Sequence, residues 1–238
     1  MKILLVNPNA TQAITDACSG LARGAASTET EVIAWTNREG PPIVDSFYAD
    51  YAAGWALSRA LPRVTPPSDA VVLAGFGNYG TAAVKEVMDV PVVNIAEAAF
   101  AFALPFCHRF AVLTAPARMV PYTQDLISLL GVAGRCAAVH AVDLPPLDEG
   151  EPSPGSAVTA IVTAAEQVIG ESGADLVVLG GARLSPYAAR LRERVAALIV
   201  EPIACGVQLA EAAVHLGLRQ SKVGKFAAPP GFGQGRGA

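Results

Sequence analysis

The stretch Ser68-Asp69-Ala70-Val71-Val72-Leu73-Ala74-Gly75-Phe76-Gly77-Asn78-Tyr79-Gly80 decides the fold. Its apolar run is short, ends in three glycines, and is followed by a helix-like pattern. A run bounded in this way reads as a buried strand. The order returns in Gly173-Ala174-Asp175-Leu176-Val177-Val178-Leu179-Gly180-Gly181-Ala182-Arg183, and Gly75 and Gly181 stand 106 positions apart. Two copies of one unit are expected, with a ligand cleft between these two strand ends.

Working outward, the same offset recurs. Lys2-Ile3-Leu4-Leu5-Val6-Asn7-Pro8 matches Arg109-Phe110-Ala111-Val112-Leu113-Thr114-Ala115 at 107, and Pro91 to Ala96 matches Leu198 to Ile203 at 107. Between these strands lie helical stretches at 11–25, 48–61, 97–105, 121–130, 158–171 and 186–196, and from the glycine loop through Met88. Further strands are read at 30–35 and 136–142. Strands alternating with helices predict α/β architecture with parallel sheets and right-handed crossovers. The expected division is a first lobe of residues 1–97 plus 205–228, a second lobe of 98–204, and a disordered tail over 229–238. The loop 143–154 is rich in proline and acid.

The 238 residues are 52% hydrophobic and 16% charged. That suits strands buried on both faces. The net charge of −4 argues against nucleic acid as a partner. No apolar run reaches the roughly 20 residues that span a membrane. The opening Met1 to Asn7 reads as a strand rather than a secretory signal. Cys18, Cys107, Cys136 and Cys205 lack metal-site spacing and read as reduced, buried thiols of a cytoplasmic protein. A small-molecule substrate and a symmetric homo-oligomer are the expected partners.

Several motifs in order resemble the aspartate/glutamate racemase superfamily, and within it the hydantoin racemase branch. They are Ile3-Leu4-Leu5-Val6-Asn7-Pro8-Asn9, Pro91-Val92-Val93-Asn94-Ile95-Ala96-Glu97-Ala98-Ala99, Arg109 to Thr114, Leu209-Ala210-Glu211 and Leu216 to Lys222. The resemblance implies two pseudo-symmetric α/β lobes and a site without cofactor or metal. It also implies a cysteine in each glycine loop, in patterns like Cys-Phe-Gly-Asp-Pro-Gly and Gly-Cys-Ala-Gly. The similar arylmalonate decarboxylases keep the second cysteine alone. Here the loops read Gly75-Phe76-Gly77-Asn78-Tyr79-Gly80 and Gly180-Gly181-Ala182-Arg183, with glycine at both thiol positions.

Glycine transfers no proton, so two-thiol racemisation is not expected. Loss of a placed acid or base costs roughly a hundred- to ten-thousand-fold. The binding apparatus is expected to persist: backbone N–H groups around Gly75, Phe76, Gly77 and Asn78, and around Gly181, Ala182 and Arg183. Asn7, Asn9 and Thr114 end strands, where substrate contact and loop capping compete. No catalytic residue is assigned. Tyr79 as a proton donor, Arg183 as a carboxylate clamp and Glu201 with an open role are the candidates, each set against a surface or structural placement. Glu97 reads as a helix cap, and His108, His140 and His215 as structural or solvated. The expected activity is cofactor-independent isomerase- or lyase-type chemistry on a small carboxylate or cyclic amide with an acidic carbon. The rivals are a racemase with both cysteines replaced and a non-catalytic small-anion-binding protein.

Overall fold

The structure, a computed structural model, describes residues 1–144 and 154–230. Most of the acid- and proline-rich loop and most of the expected tail lie outside the described residues.

Two four-stranded parallel sheets account for the strands among the described residues. The first holds β1 (Lys2–Asn7), β2 (Glu31–Thr36), β3 (Ala70–Leu73) and β4 (Val92–Asn94) in the order β2-β1-β3-β4. The second holds β5 (Phe110–Thr114), β6 (Cys136–Ala141), β7 (Leu176–Leu179) and β8 (Leu198–Val200) in the order β6-β5-β7-β8. The orders are the same, and so are the registers on the β3–β4 and β7–β8 side, whereas β5 against β6 shifts register between Phe110 and Ala111 and β1 against β2 does not. Ile3 faces Ala70 and Phe110 faces Leu176. Val72 faces Val93 and Val178 faces Val200. The internal duplication is therefore present in the hydrogen-bond ladders as well as in the residues.

One aspartate sets the start of each central ladder. Asp69 accepts the Lys2 N–H at 2.7 Å, while its own N–H donates to the Lys2 carbonyl at 2.8 Å. Asp175 accepts the N–H groups of His108 and Arg109 at 2.7 and 3.0 Å and donates its own to the Arg109 carbonyl at 3.0 Å. These N–H donors, the His108 one foremost, hold the Asp175 carboxyl below the usual carboxylate range despite some desolvation.

The helices are α1 (Gln12–Ala25), α2 (Phe47–Ala60), α3 (Thr81–Val87), α4 (Ile95–Ala103), α5 (Met119–Leu129), α6 (Pro154–Ser172), α7 (Ala188–Arg194) and α8 (Pro202–His215). In the second sheet the alternation of β5 and β7 divides the core. Ala111, Leu113, Val177 and Leu179 pack with Ile161, Ala165 and Leu191 of α6 and α7. Phe110, Val112, Leu176 and Val178 pack with Ala99, Phe100 and Ile127 of α4 and α5. In the first sheet Leu4, Val6, Val71 and Leu73 pack with Leu57, Leu61 and Val84. Ile3, Leu5, Ala70 and Val72 point the other way and are also buried. Such two-sided burial is what the continuous apolar runs require.

Among the boundaries that differ from the sequence reading, three lie at strand ends and the loops that follow them. The helix expected from residue 97 begins at Ile95, directly on the end of β4. The strand expected to run to Ile203 stops at Val200, because Pro202 supplies a fixed φ and no N–H, which suits a first helical position. The helix expected over 186–196 opens as a 3₁₀ turn at Ser185–Tyr187 and ends at Arg194.

The chain forms two compact units. The first comprises Met1–Ala74, Asn78–Asn94 and the described residues from Val207 onward; the second comprises Gly75–Gly77 and Ile95–Gly206. The breaks thus fall at 94/95 and 206/207 rather than after 97 and 204. As a result α4, which follows the last strand of the first sheet, packs with the second unit, and most of α8 returns to the first.

Glu211 of α8 secures that return. One of its carboxylate oxygens accepts from the Ser27 N–H, the Ser27 hydroxyl and the Thr30 hydroxyl at 2.9, 2.8 and 2.5 Å. Burial pushes this carboxyl up, but those donors and His215 outweigh it and hold the group below its usual value. Glu211→Ala is expected to lower unfolding free energy by about 1–3 kcal/mol at neutral pH. The folded-state pKa is depressed, so the ionic part of this contribution is present above the unfolded carboxyl value of about 4.3. It is lost as pH falls through the lower folded value. Urea melts of both proteins between pH 7 and acid should therefore converge.

Candidate active site

In parallel α/β sheets, ligands lie beyond the carboxyl ends of the strands. In the first unit β1 ends on Asn7, which is 1% exposed. Its Nδ2 donates to Asn9 Oδ1, the Thr11 carbonyl and Thr15 Oγ1 at 3.0–3.1 Å, and its Oδ1 accepts the Asn9 N–H at 3.2 Å. Asn9 Oδ1 also accepts the Thr11 N–H at 3.0 Å. Thr15 and Thr36 hydroxyls lie 2.7 Å apart, and Thr36 Oγ1 donates to Gln12 at 3.0 Å. The network fixes the turn from β1 into α1, so Asn7 and Asn9 shape the strand end through their side chains.

Asn37, beyond β2, went unremarked in the sequence. It is fully buried, and its Nδ2 donates to the Pro8 carbonyl at 2.9 Å. Among the described residues its Oδ1 has no hydrogen-bond partner. Only its place one residue past a strand end could have flagged it.

The glycine loops give the clearest geometry. Each begins by closing a ladder: Ala74 N–H donates to the Val6 carbonyl at 2.8 Å, and Gly180 N–H to the Leu113 carbonyl at 2.6 Å. A Cβ on Gly180 would lie 2.6 Å from that same carbonyl oxygen and 2.7 Å from Val112 Cγ1, so glycine is required there. A Cβ on Gly181 would meet nothing within 4 Å. The next two N–H groups of each loop, Gly75 and Phe76 in one and Gly181 and Ala182 in the other, enter no hydrogen bond among the described residues. Gly75 and Phe76 are buried, where an unpaired N–H is unusual. Farther along, Tyr79 N–H donates to buried Asp50 at 2.5 Å, and the Asn78 carbonyl accepts from Thr81.

The remaining expected residues are placed as follows. The Phe76 ring packs edge-on against Phe100 at 5.7 Å, so it lies in the core of the second unit. Tyr79 is 6% exposed and packs with Leu57, Leu61 and Val84. Its φ of +44° is a conformation that L side chains adopt at some cost, and its N–H bond to Asp50 helps to hold it. Sequence reading also missed Asp50, which arrives from α2. Thr114 is buried, with its hydroxyl 3.3 Å from the Gly180 carbonyl. Arg183 is half-buried.

Glu201 is buried, and its two oxygens accept the N–H groups of Ile203 and Ala204 at 2.8 and 2.7 Å. It caps α8. Cys205, one turn on, has its thiol pushed up to about 12, first by burial and then by the Glu201 charge. Burial also raises Cys107 and Cys136. Among the described residues no group of three or more His, Cys, Asp or Glu is placed to hold a metal ion, and no helix is long and apolar enough to cross a membrane.

Residues 3–210 match the family model described as Asp/Glu/Hydantoin racemase. The hydantoin racemase of Rhizobium meliloti is 32% identical over 231 residues, covering 96% of this chain and 95% of that one. The crystal structure of allantoin racemase from Pseudomonas fluorescens superposes with a TM-score of 0.91 at 35% identity, covering 97% of both chains. Unliganded arylmalonate decarboxylase, at 15% identity, a TM-score of 0.60 and coverage of 97% and 96%, shares the fold.

The adjacent glycines should respond differently to substitution. Gly180→Ala forces a clash with the Leu113 carbonyl and Val112 and is expected to destabilise by about 1–3 kcal/mol, whereas Gly181→Ala meets no atom and should cost only the strain of its φ of +158°, about 1 kcal/mol, as thermal denaturation would show. Cys205 should resist alkylation in the folded protein at pH 8. Glu201→Gln removes the nearby charge and should hasten its modification, followed by peptide mass spectrometry, while weakening the α8 cap by about 0.5–2 kcal/mol.

Proposed function

The chain belongs to the Asp/Glu/hydantoin racemase family, and from that premise we propose a cofactor-independent enzyme acting at an acidic carbon of a small carboxylate or cyclic amide without a thiol. One observation carries the reading. Each glycine loop presents two consecutive N–H groups, of Gly75 and Phe76 and of Gly181 and Ala182, that the described protein leaves unpaired. Paired N–H groups of this kind bind a carboxylate or the oxyanion of an enolate.

The chemistry then follows from what glycine omits. Racemisation needs a base on one face of the carbon and an acid on the other. Positions 75 and 181 supply neither. A lyase step asks less of the protein. When a carboxyl group leaves as carbon dioxide, the bonding pair passes to the adjacent carbonyl, and the resulting enolate oxygen is held by the N–H groups. The carbon later takes a proton from water. Isomerisation through the same enolate requires a base that the loops do not hold, so lyase chemistry fits the loops better.

A second reading has its own support. No atom within 4 Å would block a side chain at Gly181, although its φ of +158° is one that L residues rarely adopt; a racemase in which glycine has replaced the thiols is the reading this open space favours.

Incubation in D₂O with 2-substituted malonates and with 5-substituted hydantoins, followed by NMR, separates the readings. The expected result is carbon dioxide release, or deuterium at the acidic carbon, from at least one class with the native protein. Deuterium exchange and racemisation that arise only in the Gly75→Cys/Gly181→Cys protein would instead support the second reading. Ligands that raise Tm yet remain unchanged would point to a non-catalytic anion-binding protein.

A further inference from the structure

Beside the edge strand β2 and the carboxyl end of α2 runs a groove of about 440 Å³. Small-molecule sites have volumes of this order. Trp35 and Glu39 line it from the β2 side, and Arg59, Arg63 and Val64 from the other. Trp35 is half-buried and packs against the cluster of Leu4, Val6, Leu57 and Leu61. Arg59 is the penultimate residue of α2, and Arg63 ends the 3₁₀ turn Leu61–Arg63 that follows it.

The charges of this groove are ordered but not neutralised. Arg63 Nη1 donates to the Arg59 carbonyl at 2.7 Å, a cation on the last carbonyls of a helix. The Arg59 guanidinium lies 5.7 Å from the Trp55 ring centroid, within cation–π range. Trp55 is one of the rings, with Tyr48 and Tyr51, that α2 turns outward. Among the described residues neither arginine meets a carboxylate, and Glu39 enters no hydrogen bond or ion pair. The Trp35 indole N–H is also without a partner among them. Opposite charges therefore line one groove, farther apart than an ion pair, with an aromatic ring beside them.

We propose that the groove binds an α-amino acid zwitterion with an aromatic side chain. Its carboxylate meets the guanidinium groups of Arg59 and Arg63, its ammonium meets Glu39, and its ring lies against Trp35 and Val64. The distribution of charge selects this class. A phosphate or a dicarboxylate would satisfy the arginines but face Glu39. An amine would satisfy Glu39 but face two guanidinium groups. A zwitterion meets both signs, each through charge-assisted hydrogen bonds, and like-charge contacts penalise the other two. Trp35 supplies a ring for the apolar part, where aromatic pairs add to plain area burial. Arg59 and Arg63 are held by Trp55 and by the end of α2, so less side-chain freedom is lost on binding. None of these groups belongs to the glycine loops, so the site is separate from the activity assigned to those loops and does not rest on it.

Isothermal titration calorimetry with L-phenylalanine at neutral pH tests the proposal. The native protein is expected to bind with a Kd on the order of 0.1–1 mM. N-acetyl-L-phenylalanine lacks the ammonium and L-phenylalaninamide the carboxylate, and each should bind about tenfold more weakly or worse. Glu39→Gln and Arg59→Gln alter exposed side chains; each should weaken L-phenylalanine to a similar degree and leave Tm unchanged. The chain has two tryptophans, so in Trp55→Phe the remaining indole N–H resonance reports Trp35 directly, and L-phenylalanine should shift it. This readout needs no loss of charge and locates the ligand apart from the glycine loops. No binding by the native protein at millimolar L-phenylalanine would overturn the proposal. So would equal affinity for N-acetyl-L-phenylalanine, unchanged binding in Glu39→Gln/Arg59→Gln, or a Trp35 signal that stays in place at saturation.

Discussion

The structure depends on where each central ladder begins. In a parallel sheet a slip of one residue turns every side chain to the opposite face. The central strands of both sheets are buried on both sides, so such a slip would displace two cores at once. Asp69 and Asp175 fix the start, each by binding the backbone of the strand beside it through its carboxylate and its own N–H. With the start fixed, the end follows. Val6 and Leu113 then receive the N–H groups of Ala74 and Gly180, and the chain emerges into glycine at equivalent places. The loops are placed by strand entries about five residues upstream.

This explains why so much of the fold was legible in the sequence. Ser68 to Gly80 and Gly173 to Arg183 carry the anchor, the buried strand and the loop glycine in one contiguous string, and the apolar run Leu176 to Leu179 is the whole of strand β7. Boundaries were less legible where one residue serves two elements. Pro202 sits in an apolar run and reads as strand, but its missing N–H begins a helix, and Glu201 is recognisable as a cap only once that helix is known. Tyr79 looked accessible because it sits among glycines. Its ring is buried by the left-handed turn of its own backbone, which no pattern of apolar residues encodes. Helix α2 was legible as a helix, yet not which face is outward, since alanine and the aromatic rings count alike as apolar.

The polar groups at the strand ends fall into two sets. Asn7, Asn9, Thr15, Asp50, Thr114 and Glu201 bind the protein itself and make the loops rigid. A smaller set, the loop N–H groups and Asn37 Oδ1, is left over. Buried polar atoms are ordinarily paired, and in the proposed function the unpaired N–H groups of each loop are the ones offered to a polar ligand. They are donors only, which suits the stabilisation of negative charge that the proposal assigns to them.

The exchange of α4 and α8 between the units bears on how the chain is made. When Asn94 has left the ribosome, every strand of the first sheet is present. The partner of Ser27 and Thr30 is still more than a hundred residues from being synthesised, because Glu211 belongs to α8. The first unit thus waits, with one side incomplete, until the second has been translated in full. Vectorial folding, in which an amino-terminal domain closes before the next begins, is not open to this chain. The contacts of Glu211 with Ser27 and Thr30 are thus among the last of the first unit that the growing chain can make.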